Sequence, residues 1–457
     1  MNIIVIGDAI LDINNTSQIY RNAPEANIPI YYVSDIDYTL GGAANVCYNF
    51  KNLHTNVELV SVIGNDACGI TVKDILTTNQ ISHKLFTEPN RKTTQKNRIF
   101  IKDDIQVRFD IEDAHDISTD IADEILAYIT TKENIHAIVI SDYDKGVISE
   151  YLCTALVSFA NQSNIPTFID PKIKNYKKYL NCFFIKPNLA ELNLLTGLDT
   201  DIEVMLSCLK TKLNCTNILL TLSKDGMLFF NKTSQVIKHD TTINLIDVTG
   251  SGDVVLAVVV YSYLKDKDFI LASETANYIA GKGVTVIGNY VTTLDDITEY
   301  NDLRLLKESK IIYDTELHKI NALSRKPNVI FTNGCFDILH SAHIKLLQFS
   351  KKLGDTLVVG LNSDNSIKQL KGTTRPINDL NERSNMLSLF DFIDYIIVFD
   401  DTTPYNIIHK LKPCILVKGS DYKKTDVVGN DLVQNVVLFD LIPNKSSTNI
   451  ISKIKNM

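Results

Sequence analysis

Six short β-branched or apolar runs recur through the first three hundred residues: NIIVI (2–6), VELVSVI (57–63), HAIVIS (136–141), IPTFID (165–170), CFFIK (182–186) and NILLTL (217–222). Amphipathic stretches separate them, the pattern of a largely parallel sheet covered by helices on both faces, hence an α/β fold. Ligands of an open α/β sheet bind beyond the carboxyl ends of its strands. Each run here leads into polar residues at that end: GD, GND, SDYDKG, DPK, KPN and TLSKDG. One stretch departs from the pattern. Residues 92–113, KTTQKNRIFIKDDIQVRFDIED, alternate about a central KDD turn, which predicts a β-hairpin that could serve as a small β lid.

A chain of 457 residues exceeds what one growing core accommodates, so two or three domains are expected. A second α/β unit restarts at NVIFTNG (328–334), continues through DTLVVGLNSD (355–364) and CILVKGSDY (414–422), and closes with VVLFDLIP (436–443). The stretch before it is charged, helical in pattern and ends in Pro, the signs of a connection. The expected organisation is therefore 1–305, a linker at 306–327, and a Rossmann-like unit at 328–457.

A formal net charge of −8 gives no global basic footprint for nucleic acid or an anionic membrane, so any bound phosphate must be held by local groups. The start MNIIVIGDAILD lacks a basic segment and a cleavage site, and the apolar run VVLAVVVYSYL is bounded by charge. A cytoplasmic enzyme with neither nucleic-acid nor membrane partners is expected. The eight cysteines are scattered without a CxxC pair, which suits incidental thiols rather than zinc or a disulfide framework.

Chemistry concentrates first at DVTGSGDVVLAVVVYSYL (247–264). Gly250 and Gly252 permit a tight turn directly before an apolar helix, whose amino end offers unpaired N–H groups and a positive partial charge. Asp253 beside that turn is suited to take a proton from an attacking hydroxyl while the amides stabilise a transferring phosphoryl group; the fragment alone also fits an ordinary Gly-rich helix start. In GGAANV (41–46) the paired glycines allow close backbone approach, and Asn45 can donate to and accept from sugar hydroxyls. Asp8 and Asp12 read either as carboxylates for hydroxyls or as surface turn residues. Asn188 and Glu191 of KPNLAE read either as a polar pair arranging Mg²⁺ and its water around nucleotide phosphates, or as a loop and helix cap.

In this order the GD…D start, GGAANV, SDYDKG, DPK, KPNLAE, TLSKDGM and DVTGSGD resemble the ribokinase-type carbohydrate kinases over residues 1–300. The resemblance implies a ribokinase-like α/β domain with Asp253 as catalytic base and Gly250, Ser251 and Gly252 as anion hole. It places Asn188, Glu191, Lys224 and Gly226 on the Mg²⁺–ATP side, and Asp12, Gly41, Gly42 and Asn45 toward the sugar. A monovalent cation is a further expectation. Lys96, Arg98 and Arg108 on the hairpin supply local cations, and Arg98 is the candidate for a substrate phosphate, its other reading being an exposed hairpin charge.

In the second unit FTNGCFDILHSAHIKLL (331–347) sets a strand, a turn, and then His340 and His343 at a helix start. Two imidazoles three residues apart share one helix face and can stabilise charge on an α-phosphate. HxxH also occurs at metal sites, but neither a third ligand nor a Glu base stands nearby. Together with LNSDNSIKQLKGTTRPIN (361–378), KGSDY (418–422) and NKSSTNI (444–450), the second unit resembles the cytidylyltransferase-like nucleotidyltransferases. That resemblance implies a triphosphate on His340 and His343, with phosphate or substrate held by Lys371 and Arg375. It assigns ATP or substrate contacts to Asn333, Gly334, Phe336 and Lys418, and a helix cap over ATP to Ser447 and Thr448. Ala342 stands where that family carries Gly in HxGH, so its methyl sits where a phosphate approaches the helix end.

The order kinase-then-transferase, with RNAPEANIPI, LKGTTRP, LVKGSDY and SSTNII, resembles the bifunctional heptose 7-phosphate kinase and heptose 1-phosphate adenylyltransferase family nearly end to end. It implies ATP and heptose phosphates as partners, a homodimer, and ADP-heptose for the lipopolysaccharide core as product. A kinase fused to a degenerate nucleotide-binding regulatory module is the alternative that Ala342 raises.

Overall fold

Strand Asn2–Gly7 lies parallel to and between Asn56–Ile63 and Ala137–Ser141, with Val5 opposite both Leu59 and Val139. Successive residues of these strands serve different cores. Ile3, Val5, Leu59 and Val139 pack with helices Ala43–Asn52 and Ser251–Asp266, whereas Ile4, Ile6, Val60 and Ile138 pack with Thr119–Thr130 and Glu150–Gln162. Burial on both faces is why the strands read as nearly continuous apolar runs. The full sheet has nine strands in the order 234–237, 227–230, 217–221, 184–185, 167–170, 137–141, 2–7, 56–63 and 82–87. All six expected strands occur, with ends shifted by up to two residues; Met227–Phe230, Ser234–Ile237 and Ser82–Thr87, which lengthen the sheet at its two ends, were not anticipated.

The structure is a computed structural model that describes every residue except 27, 103, 173–174, 238–245, 287, 421 and 441–457. The chain divides into two units, Met1–Ile297 and Thr298–Met457. No helix among the described residues is long and apolar enough to cross a membrane.

The expected hairpin forms from Thr94–Ile101 and Asp104–Ile111, with Arg98 opposite Arg108, but it is only half of a larger sheet. Two strands of 14 residues, Ala9–Asn22 and Pro29–Gly42, complete four strands in the order 29–42, 9–22, 94–101, 104–111. Most of Pro29–Gly42 is solvent-exposed, so its side chains have no core face to impose a hydrophobic period. Its last residues run into the main core as Gly41 and Gly42.

The second unit holds a six-stranded parallel sheet ordered 311–313, 395–399, 356–362, 329–334, 415–419, 435–439. The stretch 306–327 is therefore not a linker along its whole length. Ile311–Tyr313 pairs with Tyr395–Phe399, and Ile312, Ile320 and Leu323 are fully buried in this unit's core. Three apolar anchors in a charged stretch suffice for an edge strand and a two-turn helix, too few to show as a period.

Candidate active sites

In the first unit Gly250 begins helix Ser251–Asp266 at φ +71°, and a Cβ there would lie 2.8 Å from Asn289 Oδ1 and 3.0 Å from Asn45 Nδ2. Both the backbone angle and the space require glycine. Asp253, in the first turn, is buried. Its Oδ2 accepts a hydrogen bond from Asn45 Nδ2 and its Oδ1 one from the Tyr143 hydroxyl, each at 2.7 Å. Burial pushes its carboxyl pKa up, against the pull of those two donors and of Lys186 and Lys96.

A cavity of about 590 Å³ opens beside this turn, and its walls include Asn188, Glu191, Lys224, Gly226, Ser251 and Gly252. Asn188 and Glu191 form a reciprocal cap: Asn188 Oδ1 accepts from Glu191 N at 2.8 Å, and Glu191 Oε2 from Asn188 N at 2.9 Å. Glu191 Oε1 accepts from Lys172 Nζ at 2.9 Å, so both oxygens are engaged and the helix-cap reading of this pair holds. Asp170, which sequence reasoning left without a role, lines the same cavity and pairs with Lys186 at 3.1 Å; burial pushes its carboxyl up to about 6. The signal for both lay in DPK and KPN, polar ends of adjacent strands.

On the lid side, Arg98 Nη1 donates to Asp12 Oδ1 at 2.7 Å, and both side chains are nearly buried. Arg98 is therefore not an exposed hairpin charge. It lines a second cavity of about 410 Å³ with Asn14, Thr39, Asp247 and Asn289. A Cβ on Gly41 would meet Asp12 Oδ2 at 2.3 Å, which ties that glycine to the carboxylate, and Gly42 sits at φ +59°. Arg108 pairs instead with Asp110.

Asp8 is neither a hydroxyl ligand nor a surface turn residue. Its carboxylate accepts the backbone N–H groups of Tyr143, Lys145 and Val147 at 2.8, 3.2 and 3.1 Å, and it is 1 % exposed. Burial and the nearby Asp142 push its carboxyl up to about 6. The clamp fixes the SDYDKG loop that carries Tyr143.

In the second unit His340 is the residue before helix Ser341–Lys351, and His343 lies in its first turn. Burial, then His340 and Lys371, hold the His343 imidazole down to about 4, so it is neutral near pH 7. Phe336, at φ +44°, sets its ring edge-on to His343 at 5.2 Å, and Gly334 leaves room for that ring, which a Cβ would meet at 3.2 Å. Among the described residues, the buried Asn333 Oδ1, His343 Nδ1 and Arg375 Nη2 have no hydrogen-bond partner, which leaves polar atoms for a ligand. Arg375 Nε pairs with Asp337, while Lys418 Nζ donates to the Asn333 carbonyl at 3.3 Å. Lys371 closes helix Asp364–Lys371. Ser447 and Thr448 lie outside the described residues.

Sequence reasoning missed Arg383. It is 1 % exposed and donates to the carbonyls of Cys335, Asn362 and Asn378 at 2.9, 2.7 and 3.1 Å, and to Asp364 at 2.6 Å. One guanidinium thus ties the carboxyl ends of strands Val329–Gly334 and Thr356–Asn362 to the loop before helix Leu380–Ser388. Nothing in the local sequence NERSN marks it, because Cys335, Asn362 and Asp364 lie 19 to 48 residues away in the chain.

Residues 1–295 match the family model described as pfkB family carbohydrate kinase, and residues 331–453 match the one described as Cytidylyltransferase-like. The bifunctional protein HldE of Aliarcobacter butzleri (strain RM4018) is 36% identical over 465 residues, covering 99% of this chain and 97% of the relative. The corresponding protein of Campylobacter concisus (strain 13826) is 38% identical over 463 residues, covering 100% and 98%. This chain belongs to the HldE family. HldE relatives span both units, so the fusion of kinase and transferase is a property of the whole chain. Among solved structures, Arabidopsis thaliana ribokinase complexed with ribose and ATP is similar at TM-score 0.52 and 18% identity, covering 67% of this chain and 99% of that one. Escherichia coli phosphofructokinase-2 in complex with substrates and products gives TM-score 0.55 and 15% identity, covering 65% and 97%. At such identities they establish the ribokinase-like fold of the first unit.

Proposed function

We infer that the chain makes ADP-heptose from a heptose phosphate in two ATP-dependent reactions, one in each unit. The first phosphorylates D-glycero-β-D-manno-heptose 7-phosphate at O1. The second joins heptose 1-phosphate to the adenylyl group of ATP and releases pyrophosphate. The observation that carries this reading is that one chain bears two different helix-start constellations: Asp253 after a glycine turn, and His340 with His343 after a strand.

Their chemistry follows from what each nucleophile lacks. A sugar hydroxyl must lose a proton as it attacks the γ-phosphorus, and Asp253 takes it while ADP leaves, with the amides of Gly250, Ser251 and Gly252 facing the transferring group. A sugar phosphate is already ionised when it attacks the α-phosphorus, so the second site uses donors and cations instead of a base: His340, His343, Lys371, Arg375 and Lys418. Ser447 and Thr448 are proposed to contact ATP. Asp12, Gly41, Gly42, Asn45 and Arg98 face the sugar and its phosphate. Lys224 and Gly226 face the nucleotide.

Mg²⁺ is expected to arrive with ATP and to neutralise phosphate charge. Glu191 is engaged at both carboxylate oxygens by Lys172 and the helix cap, which fits contact through the water shell rather than direct ligation. A monovalent cation is proposed alongside Mg²⁺. A cytoplasmic homodimer completes the proposal. Incubation with ATP, Mg²⁺ and a panel of sugar phosphates, with products identified by mass, tests it: the heptose phosphates should be converted in preference to pentose and hexose phosphates.

A further inference from the structure

We propose that Tyr143 is a positioning residue of the kinase reaction, its hydroxyl donating to Asp253 so that the base stays ionised and aimed at the attacking sugar hydroxyl. The inference rests on the reading of Asp253 as that base. A carboxylate buried in protein is driven toward its neutral, protonated form, in which it cannot accept another proton. Two neutral donors oppose this at Asp253, Tyr143 on Oδ1 and Asn45 on Oδ2, and each oxygen retains a lone pair for substrate.

The charged groups around Asp253 do not make the hydroxyl redundant. Lys186 is shared with Asp170, which is itself a carboxylate acting on Asp253. Lys96, from strand Thr94–Ile101, is drawn also by Asp12, and Asp12 is paired with Arg98. Tyr143 is different in kind, because a phenol donor stabilises the ionised carboxylate without adding charge to the site. Burial and Asp253 push its own ionisation far above the ordinary phenol range, so it remains a donor at every working pH.

The hydroxyl is delivered by a loop held on both sides. Asp8 takes the Tyr143, Lys145 and Val147 amides, and Arg91 donates to the Lys145 and His115 carbonyls at 2.9 and 2.7 Å. Asp142, just before Tyr143, accepts from the Tyr179 hydroxyl at 2.6 Å and pairs with Lys178 at 2.5 Å. At Gly146, φ +91°, a Cβ would lie 1.8 Å from the His115 carbonyl oxygen, so the turn admits only glycine. The Tyr143 ring also has Lys96 and Lys172 nitrogens 5.0 and 5.9 Å from its centroid. Those contacts need the ring and not the hydroxyl.

Tyr143→Phe isolates the hydroxyl. The kinase kcat/KM of the full chain is measured against pH, with circular dichroism and thermal melting as checks on folding. The acid limb should move up by about one pH unit, so kcat/KM falls about tenfold on that limb and less than about threefold on the plateau above it. Ionisation of the substrate phosphate is common to both proteins and cancels in the comparison. A ring-fluorinated tyrosine at 143, a more acidic donor of nearly the same size, should move the limb down, and it serves if Tyr143→Phe does not fold. A loss equal at all pH values, or no change, overturns the role of Tyr143. Asp253→Asn separates the two failures: if that variant turns over normally, the base assignment itself is wrong, and if it is inactive while the limb stays put, only the positioning role falls.

Discussion

The imidazole rings of His340 and His343 stack with centroids 3.8 Å apart and planes 15° from parallel. Burial, then repulsion from His340 and Lys371, keeps His343 neutral in the folded protein until about pH 4, against an ordinary 6.5. An unfolded chain protonates there as pH falls through 6.5, so the contribution of this group to stability is present above 6.5 and is lost between 6.5 and about 4. A bound triphosphate reverses the preference. ATP binding to the second unit at about pH 5.5 should therefore draw a proton to His343. Calorimetry in two buffers of different ionisation enthalpy measures the uptake; His343→Ala should lower it, and an unchanged uptake would show that the imidazole does not face the phosphates.

Arg98 and Asp12 form a nearly buried pair beside the lid cavity. Arg98→Ala should raise KM for heptose 7-phosphate more than KM for ATP. It should also lower the melting temperature, because it strands a buried carboxylate at a cost of about 3–5 kcal/mol. Adding Asp12→Ala should recover part of that stability but none of the sugar-phosphate affinity. Equal changes in the two KM values would remove Arg98 from the phosphate.

What the sequence made legible follows from which signals are local. The glycine turn before Asp253 and the helix start at His340 are written in consecutive residues, and both stand where the motifs put them. The six strands of the first core were readable because burial on both faces leaves continuous apolar runs. Strand Pro29–Gly42 was not, since most of it is exposed and carries no apolar face, and in Ala9–Asn22 the buried run Ala9–Ile13 follows strand Asn2–Gly7 after one residue and gives no separate signal. The reach of Tyr143 to Asp253 spans 110 residues, and the Asp8 clamp spans 135 or more. Such contacts depend on which loops the sheet order brings together, and no spacing in the chain encodes that.

Ala342 lies in the first turn of helix Ser341–Lys351 and is half-buried. A helical backbone suits alanine, and glycine there costs about 1 kcal/mol. Ala342→Gly should therefore lower stability slightly and leave the adenylyl-transfer rate within about threefold of the parent, well short of what removing one oxyanion-type donor does. A rise of more than about tenfold would show that the methyl obstructs the approach of phosphate.

The claim that two complete and separate ATP reactions reside on one chain is tested most directly by phosphorus NMR of the full-length Asp253→Asn protein. Supplied with heptose 1-phosphate, ATP and Mg²⁺, it should form ADP-heptose and pyrophosphate at the parent rate. Supplied with heptose 7-phosphate, it should release ADP at least about a hundredfold more slowly than the parent, the scale of a lost general base. If the first mixture yields no pyrophosphate in either the variant or the parent protein, the second unit is not an adenylyltransferase and the two-reaction account is contradicted.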